Sequence, residues 1–171
     1  YVRREGHNVT ILDINAYAYT QEKVEEIIKE SIFDIAGIGG LSSTYKYVKW
    51  LSEIIKKHKP HVKIVAGNSV ATASPELLLQ NSKVDIAVID EGEITFNELV
   101  STIKNKRDLK DVKGIFYKED GKIISTEPRE RIKDLDSLPF PAWDLFPMQM
   151  YIDNSMSSSV FFGKRVINVS S

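Results

Sequence analysis

The 171-residue chain contains no cysteine. That absence excludes a disulfide framework, a thiol nucleophile, a cysteine-ligated zinc and an iron–sulfur cluster within these residues. Long hydrophobic runs are also missing: nothing approaches the ~20 apolar residues of a membrane span, and there is no signal-peptide core. An excess of one charge is missing too. The 23 basic and 24 acidic residues leave a net charge of -1, so no basic stripe is offered to phosphate backbones and no nucleic-acid partner is expected. Histidine is scarce, with His7 before a strand and His58 and His61 bracketing Pro60. They form no constellation and read as solvated surface residues rather than metal ligands. Neither a Ser-His-Asp set nor a GxxxxGK(S/T) phosphate loop is present. What remains, 42% hydrophobic and 27% charged residues, is an ordinary globular composition, and a cytoplasmic protein with no membrane partner is expected.

Strand and helix patterns alternate. Residues 9–14 (VTILDI) read as a strand, and Thr20 caps a helix whose apolar face is Val24, Ile27 and Ile28. The near-continuous apolar run 33–38 predicts a central parallel strand covered on both faces. Tyr47, Val48, Leu51, Ile54 and Ile55 follow at helical spacing, closed by Pro60. Residues 62–66 form the next strand, and Ser74-Pro75 opens a short helix as N-cap and first position. Residues 84–89 form another strand. Thr95 and Glu98 then make a capping box, with Ile94 and Leu99 at staple positions, for a helix that buries Phe96, Leu99, Val100 and Ile103. This succession implies an α/β fold with a doubly wound, Rossmann-like (flavodoxin-like) parallel sheet. Asp120-Gly121 is a two-residue turn signal between strands 114–118 and 122–126, a C-terminal β-hairpin. The proline-rich stretch 132–147 carries too many large apolar groups for a free linker and is expected to dock as an extended strap. Residues 154–159 read as loose, and 166–169 as a last strand.

Three strand exits carry small residues. Gly39-Gly40 lets a bulky group approach the backbone where a Cβ would block it, and Ser42, Ser43 and Thr44 can donate hydrogen bonds to that group. A tight turn with a Ser/Thr helix cap explains the same residues, and Gly67-Asn68-Ser69 carries the same two readings. Their recurrence along one sheet edge, where α/β sheets bind ligands, favours a binding rim. In Asp90-Glu91-Gly92-Glu93 the carboxylates suit a helix N-terminus better than acid–base work, while Gly92 again permits close approach.

Taken in order, these phrases resemble the cobalamin-binding domain that precedes the catalytic barrel in cobalamin-dependent radical SAM enzymes. VRREGHNVTILD (2–13), DIAGIGG (34–40), IVAGNSVATASPE (64–76), DIAVIDEGEITFNEL (85–99), the hairpin, and IKDLDSLPFPAWDL (132–145) each match a family phrase. The chain departs from it in three places: Gly39 stands where a serine is common, Ala66 and Asn68 flank a lone Gly67 where relatives have a glycine pair, and Asp90 replaces a glycine. The resemblance implies an N-terminal fragment of a radical SAM enzyme, a methyltransferase or related C–C or C–S bond-forming enzyme. Residues 1–106 would bind the corrinoid, 107–147 would connect, and 148–171 would begin the barrel, which is the expected partner. The cobalamin-binding residues it implies are Gly39, Gly40, Leu41, Ser42, Ser43, Thr44, Gly67, Asn68, Ser69, Val70, Glu91, Gly92 and Glu93, with no catalytic or metal-ligating residue among them. A 4Fe-4S cluster and S-adenosylmethionine would belong to the C-terminal part of the parent, so the segment alone is not expected to be an enzyme. The family's first strand would precede Tyr1 and lie in mid-sheet. A homodimer or a distorted sheet is therefore expected, with 166–169 a candidate to fill the slot. The rival reading is a non-catalytic docking or regulatory module that has lost the corrinoid, with Asn68, Ser69 and Asp90 crowding its site.

Overall fold

A computed structural model of the protein describes residues 1–154. Its centre is a five-stranded sheet in the order β1 (Ile35–Gly39), β2 (Lys63–Gly67), β3 (Ile86–Val88), β4 (Ile115–Glu119) and β5 (Lys122–Ser125). β1, β2 and β3 are parallel, with Gly39 opposite Gly67. β4 and β5 add to the same sheet antiparallel. The hairpin turn is as expected: Asp120 (φ 47) and Gly121 (φ 77) are both left-handed, the geometry that matches strand twist in a two-residue loop.

Alternation along the strands divides the core in two. Ile38, Ile64, Ala66 and Ala87 pack with Val24 and Ile28 of α1 (Gln21–Glu30), Val48 and Ile55 of α2 (Tyr45–His58), and Leu78 and Leu79 of α4 (Pro75–Asn81). On the other face Val65, Ile86, Val88, Ile115 and Tyr117 pack with Leu99 of α5 (Gly92–Lys104). A one-turn helix, α3 (Ser69–Thr72), lies between β2 and α4. Gly37 and Gly39 of β1 are exposed.

Several expectations about local structure need correction. Residues 9–14 do not enter the sheet, and β1, expected in the centre, is an edge strand whose outer side pairs with no described strand. In place of a strand exit, Asp13 caps a turn, its Oδ1 accepting from the Ala16 amide (3.0 Å). The Thr95–Glu98 capping box does not form, because α5 begins four residues early at Gly92 with Glu91 at the N-cap position. Thr95 is fully buried and its hydroxyl accepts from Arg129 Nε (2.7 Å), while Glu98 pairs with the same guanidinium. Ile94 and Leu99 therefore lie within the helix and form no staple. Ser74 holds its expected position before Pro75, yet its hydroxyl donates to the Ala73 carbonyl (2.7 Å) instead of capping. Thr20 does cap α1, accepting from the Lys23 amide (3.3 Å).

The segment after β5 is pinned at intervals. Arg129 grips α5, the Ile132 amide donates to Glu91 Oε2 (2.6 Å), and Asp144 forms a two-oxygen pair with Arg3 (2.9 and 2.8 Å). Phe140 and Leu135 are 94% and 64% exposed, so the strap's apolar content is only partly docked. It continues into α6 (Met148–Asn154), where the Tyr151 hydroxyl donates to the Asp13 carboxylate. That bond, with burial second, pushes the Tyr151 phenol up to about 12 from 10.0. Because the folded value lies above the unfolded one, this stabilisation is complete below about pH 10 and is lost as pH rises through about 12. Burial also raises the Tyr47 and Tyr117 phenols, so phenolate absorbance should show a late-ionising group of tyrosines, of which Asp13→Asn should move one earlier; an unchanged titration in that variant would refute the pairing. The proposed strand 166–169 and, beyond Asn154, the loose stretch 154–159 lie outside the described residues. Among the described residues no helix is long and apolar enough to cross a membrane.

Candidate functional site: a glycine-walled cleft at the carboxyl edge

Because β1, β2 and β3 are parallel and in register, their exit loops rise from the same edge. Hydrogen bonds tie those loops together. The Val70 amide donates to the Gly40 carbonyl (3.0 Å), the Ser42 amide donates to Ser69 Oγ (3.1 Å), and Ser42 Oγ donates to the Ser69 carbonyl (3.1 Å). Further along, the Asp90 amide donates to Thr72 Oγ1 (3.0 Å). With Glu91 accepting from Ile132, the chain of bonds runs unbroken from the first loop to the strap.

Beside this rim lies a cleft of about 480 Å³, within the size range of small-molecule sites. Gly37, Gly39, Val65, Gly67 and Val88 form its floor, and Gly92, Glu93 and Phe96 of α5 one wall. Val9 and Ile11 line it as well, as do Ala142, Leu145 and Phe146 of the strap. Its lining is mostly apolar, with Arg3, Asn68 and Glu93 as its charged or amide-bearing side chains.

The glycines differ in what holds them. A Cβ on Gly40 would come within 2.8 Å of Thr44 Oγ1 and 3.0 Å of Val48 Cγ2, so tight internal packing requires that glycine. A Cβ on Gly39 or Gly67 would meet nothing within 4 Å, and neither residue has the left-handed φ that would demand glycine. Both leave bare main chain facing the cleft. Asn68 (φ 65, ψ -169) and Asp90 (φ 57), which stand where the family phrases carry glycine, retain glycine-like backbone. The Asn68 conformation is close to glycine-only and costs on the order of 1–3 kcal/mol. Its side chain offsets part of this by accepting from the Ser69 amide (2.6 Å).

Of the thirteen residues singled out from the sequence, Gly39, Gly67, Asn68, Gly92 and Glu93 line the cleft. Gly40 and Val70, which is 4% exposed, serve the core beneath the rim. Ser42 Oγ donates to the Ser69 carbonyl, Ser69 Oγ accepts from the Ser42 amide, and Thr44 Oγ1 donates to the Leu41 carbonyl (2.7 Å), so the Ser42 and Thr44 hydroxyls are not the free donors expected. Leu41 and Ser43 are exposed on the first loop. Glu91 holds the strap. Sequence reasoning missed Gly37, Phe96 and the strap residues; for Gly37 the signal was available, two glycines at the period-two spacing of one strand face. His58, expected to be solvated, lies at the other end of α2 with Nε2 2.7 Å from Glu25 Oε1. Hydrogen bonds from Lys57 first and His58 second hold the Glu25 carboxyl below its usual value. Among the described residues no cluster of His, Asp and Glu could hold a metal ion.

An open α/β sheet whose parallel strands end in small residues around an apolar cleft belongs to the class of cofactor-carrying α/β domains. Residues 1–100 match the model of the B12 binding domain, and the chain belongs to that family. It is 37% identical over 149 residues to an uncharacterized methyltransferase of Pyrococcus horikoshii, covering 86% of this chain and 32% of that protein. It is 30% identical over 149 residues to the anaerobic magnesium-protoporphyrin IX monomethyl ester cyclase of Synechocystis, covering 85% and 30%. The chain thus spans about a third of the length of these curated relatives. In fold it is similar to the radical S-adenosylmethionine methyltransferase TsrM from Kitasatospora setae, solved with cobalamin and a 4Fe-4S cluster bound. That match has a TM-score of 0.67 at 16% identity, over 80% of this chain and 26% of that one.

Proposed function

We propose that this chain carries cobalamin at the glycine-walled edge, as the corrinoid-binding part of a radical SAM enzyme, with methyl transfer the favoured reaction. The observation that carries the reading is the pair Gly39 and Gly67: their glycine identity has no internal cause, yet both open onto one cleft. A large flat macrocycle needs such bare main chain to rest against. When bound, cobalamin would supply a cobalt centre able to carry a methyl group. The chain's own residues supply shape, main-chain hydrogen-bonding groups and exclusion of water, with no proton transfer. Residues 1–106 would form the carrier and 107–147 the connection to the part of a cytoplasmic parent that holds a 4Fe-4S cluster and S-adenosylmethionine. The docking-module rival draws nothing from Asp90, which does not line the cleft. Self-association through the edge of β1 that meets no described strand belongs to the same proposal; a single-chain mass by light scattering would remove it.

Hydroxocobalamin should give a red-shifted absorbance that stays with the protein through gel filtration, whereas flavin mononucleotide should elute free. Retention of the flavin alone, or of neither compound, would overturn the reading.

A further inference from the structure

Among the described residues Asn68, which is exposed, is the one amide side chain lining the cleft, set among Gly39, Gly67 and Gly92. Its backbone occupies a region that glycine enters freely and asparagine does not. Its orientation is nevertheless fixed, because Oδ1 accepts from the Ser69 amide (2.6 Å). An amide whose oxygen is committed has two N–H donors left on Nδ2. Among the described residues nothing accepts from them. Ser42, Ser69 and Thr44, the neighbouring hydroxyls, are already paired within the rim.

We infer that Asn68 Nδ2 is a specificity donor of the cleft, giving a hydrogen bond to an acceptor oxygen of the bound corrinoid. This rests on the corrinoid reading above and assigns the strained asparagine a role within it. A corrinoid offers two kinds of acceptor, the carbonyl oxygens of the amide chains fringing the ring and the phosphate oxygens of its nucleotide. An Asn68 that merely shaped the turn would be bettered by glycine in both stability and binding. A donor would be bettered in stability alone.

The test uses the full chain and measures melting temperature and ligand affinity together. Asn68→Gly should melt higher than the native protein yet bind hydroxocobalamin about tenfold more weakly, the loss of roughly one hydrogen bond. Asn68→Asp keeps an oxygen for the Ser69 amide and tolerates left-handed backbone, but when ionised offers no donor. It should lose at least as much affinity at neutral pH. Repeating the comparison with cobinamide, which lacks the nucleotide, separates the acceptors: a penalty that persists assigns a ring amide, and one that disappears assigns the phosphate. Native-like affinity for hydroxocobalamin in both variants would overturn the inference while leaving corrinoid binding intact. Failure of the native protein to bind hydroxocobalamin would remove the site reading and this role with it.

Discussion

Gly39→Val and Gly67→Val should each weaken hydroxocobalamin binding about a hundredfold or more while leaving the melting temperature unchanged or slightly raised. The two halves of that expectation have separate causes. In the protein alone an added Cβ meets nothing within 4 Å at either position, and both residues sit in strands, where a β-branched side chain is favoured over glycine. In the complex the new branches would occupy the cleft floor, and overpacking against a rigid wall costs about 1–3 kcal/mol before any ligand contacts are lost. A hundredfold change in affinity corresponds to about 2.7 kcal/mol. Gly40→Ala is the control with the opposite profile. Its Cβ would be driven against Thr44 and Val48, so it should lower stability by about 1–3 kcal/mol. Spectrophotometric titration alongside thermal melting reads all three. If the valine variants bind as the native protein does, the cleft is not where the corrinoid rests.

The largest expected effect on folding lies at the opposite edge of the sheet, at Asp85. One carboxylate oxygen, Oδ2, accepts from the Ile64 amide (2.7 Å) and pairs with Lys56 Nζ (2.8 Å). Lys56 also donates to the Val62 carbonyl (2.7 Å). The Asp85 main chain, for its part, joins β2 to the segment entering β3 through its amide on the Ile64 carbonyl (2.9 Å). Removing the carboxylate leaves the amide of fully buried Ile64 without an acceptor and a half-buried ammonium without its counter-charge. Asp85→Ala should cost about 2–4 kcal/mol, since an orphaned buried group loses its full desolvation energy. Asp85→Asn retains an acceptor and loses only the charge, so it should cost about half as much. Urea unfolding distinguishes these outcomes. Equal losses for the two variants would mean that the charge, not the amide acceptor, governs the effect.

The alternation of strand and helix was legible because each element carried its own periodicity and punctuation. Thr20, Pro75 and Asp120-Gly121 act through bonds and dihedrals within a few residues of themselves, so their meaning survives reading in one dimension. Thr95 and Glu98 misled for the opposite reason. Their spacing is that of a capping box, but Arg129, 34 and 31 positions away, claims both side chains once the chain folds. The strap's share of the cleft was hidden in the same way, since nothing near Leu145 or Phe146 in the sequence indicates which surface they meet. Among the described residues β1 lies at an edge and not in the expected centre, because apolar content reports burial of faces and says little about which edges find a partner. Gly39 and Gly67 were legible as close-approach glycines, whereas Gly40 was not separable from them. Only the space around each Cβ tells one from another.

The bonds that join the Gly40, Ser69, Thr72 and Glu91 regions to one another lie wholly within the chain and need no ligand atom. A rim already held in place gives up little conformational freedom on capture, so the free energy of contact goes into holding the guest instead of freezing the host. Such a mouth is economical, and also inflexible: it should tolerate changes in what hangs from a macrocycle's outer margin far better than changes in the thickness of the disc it has to admit.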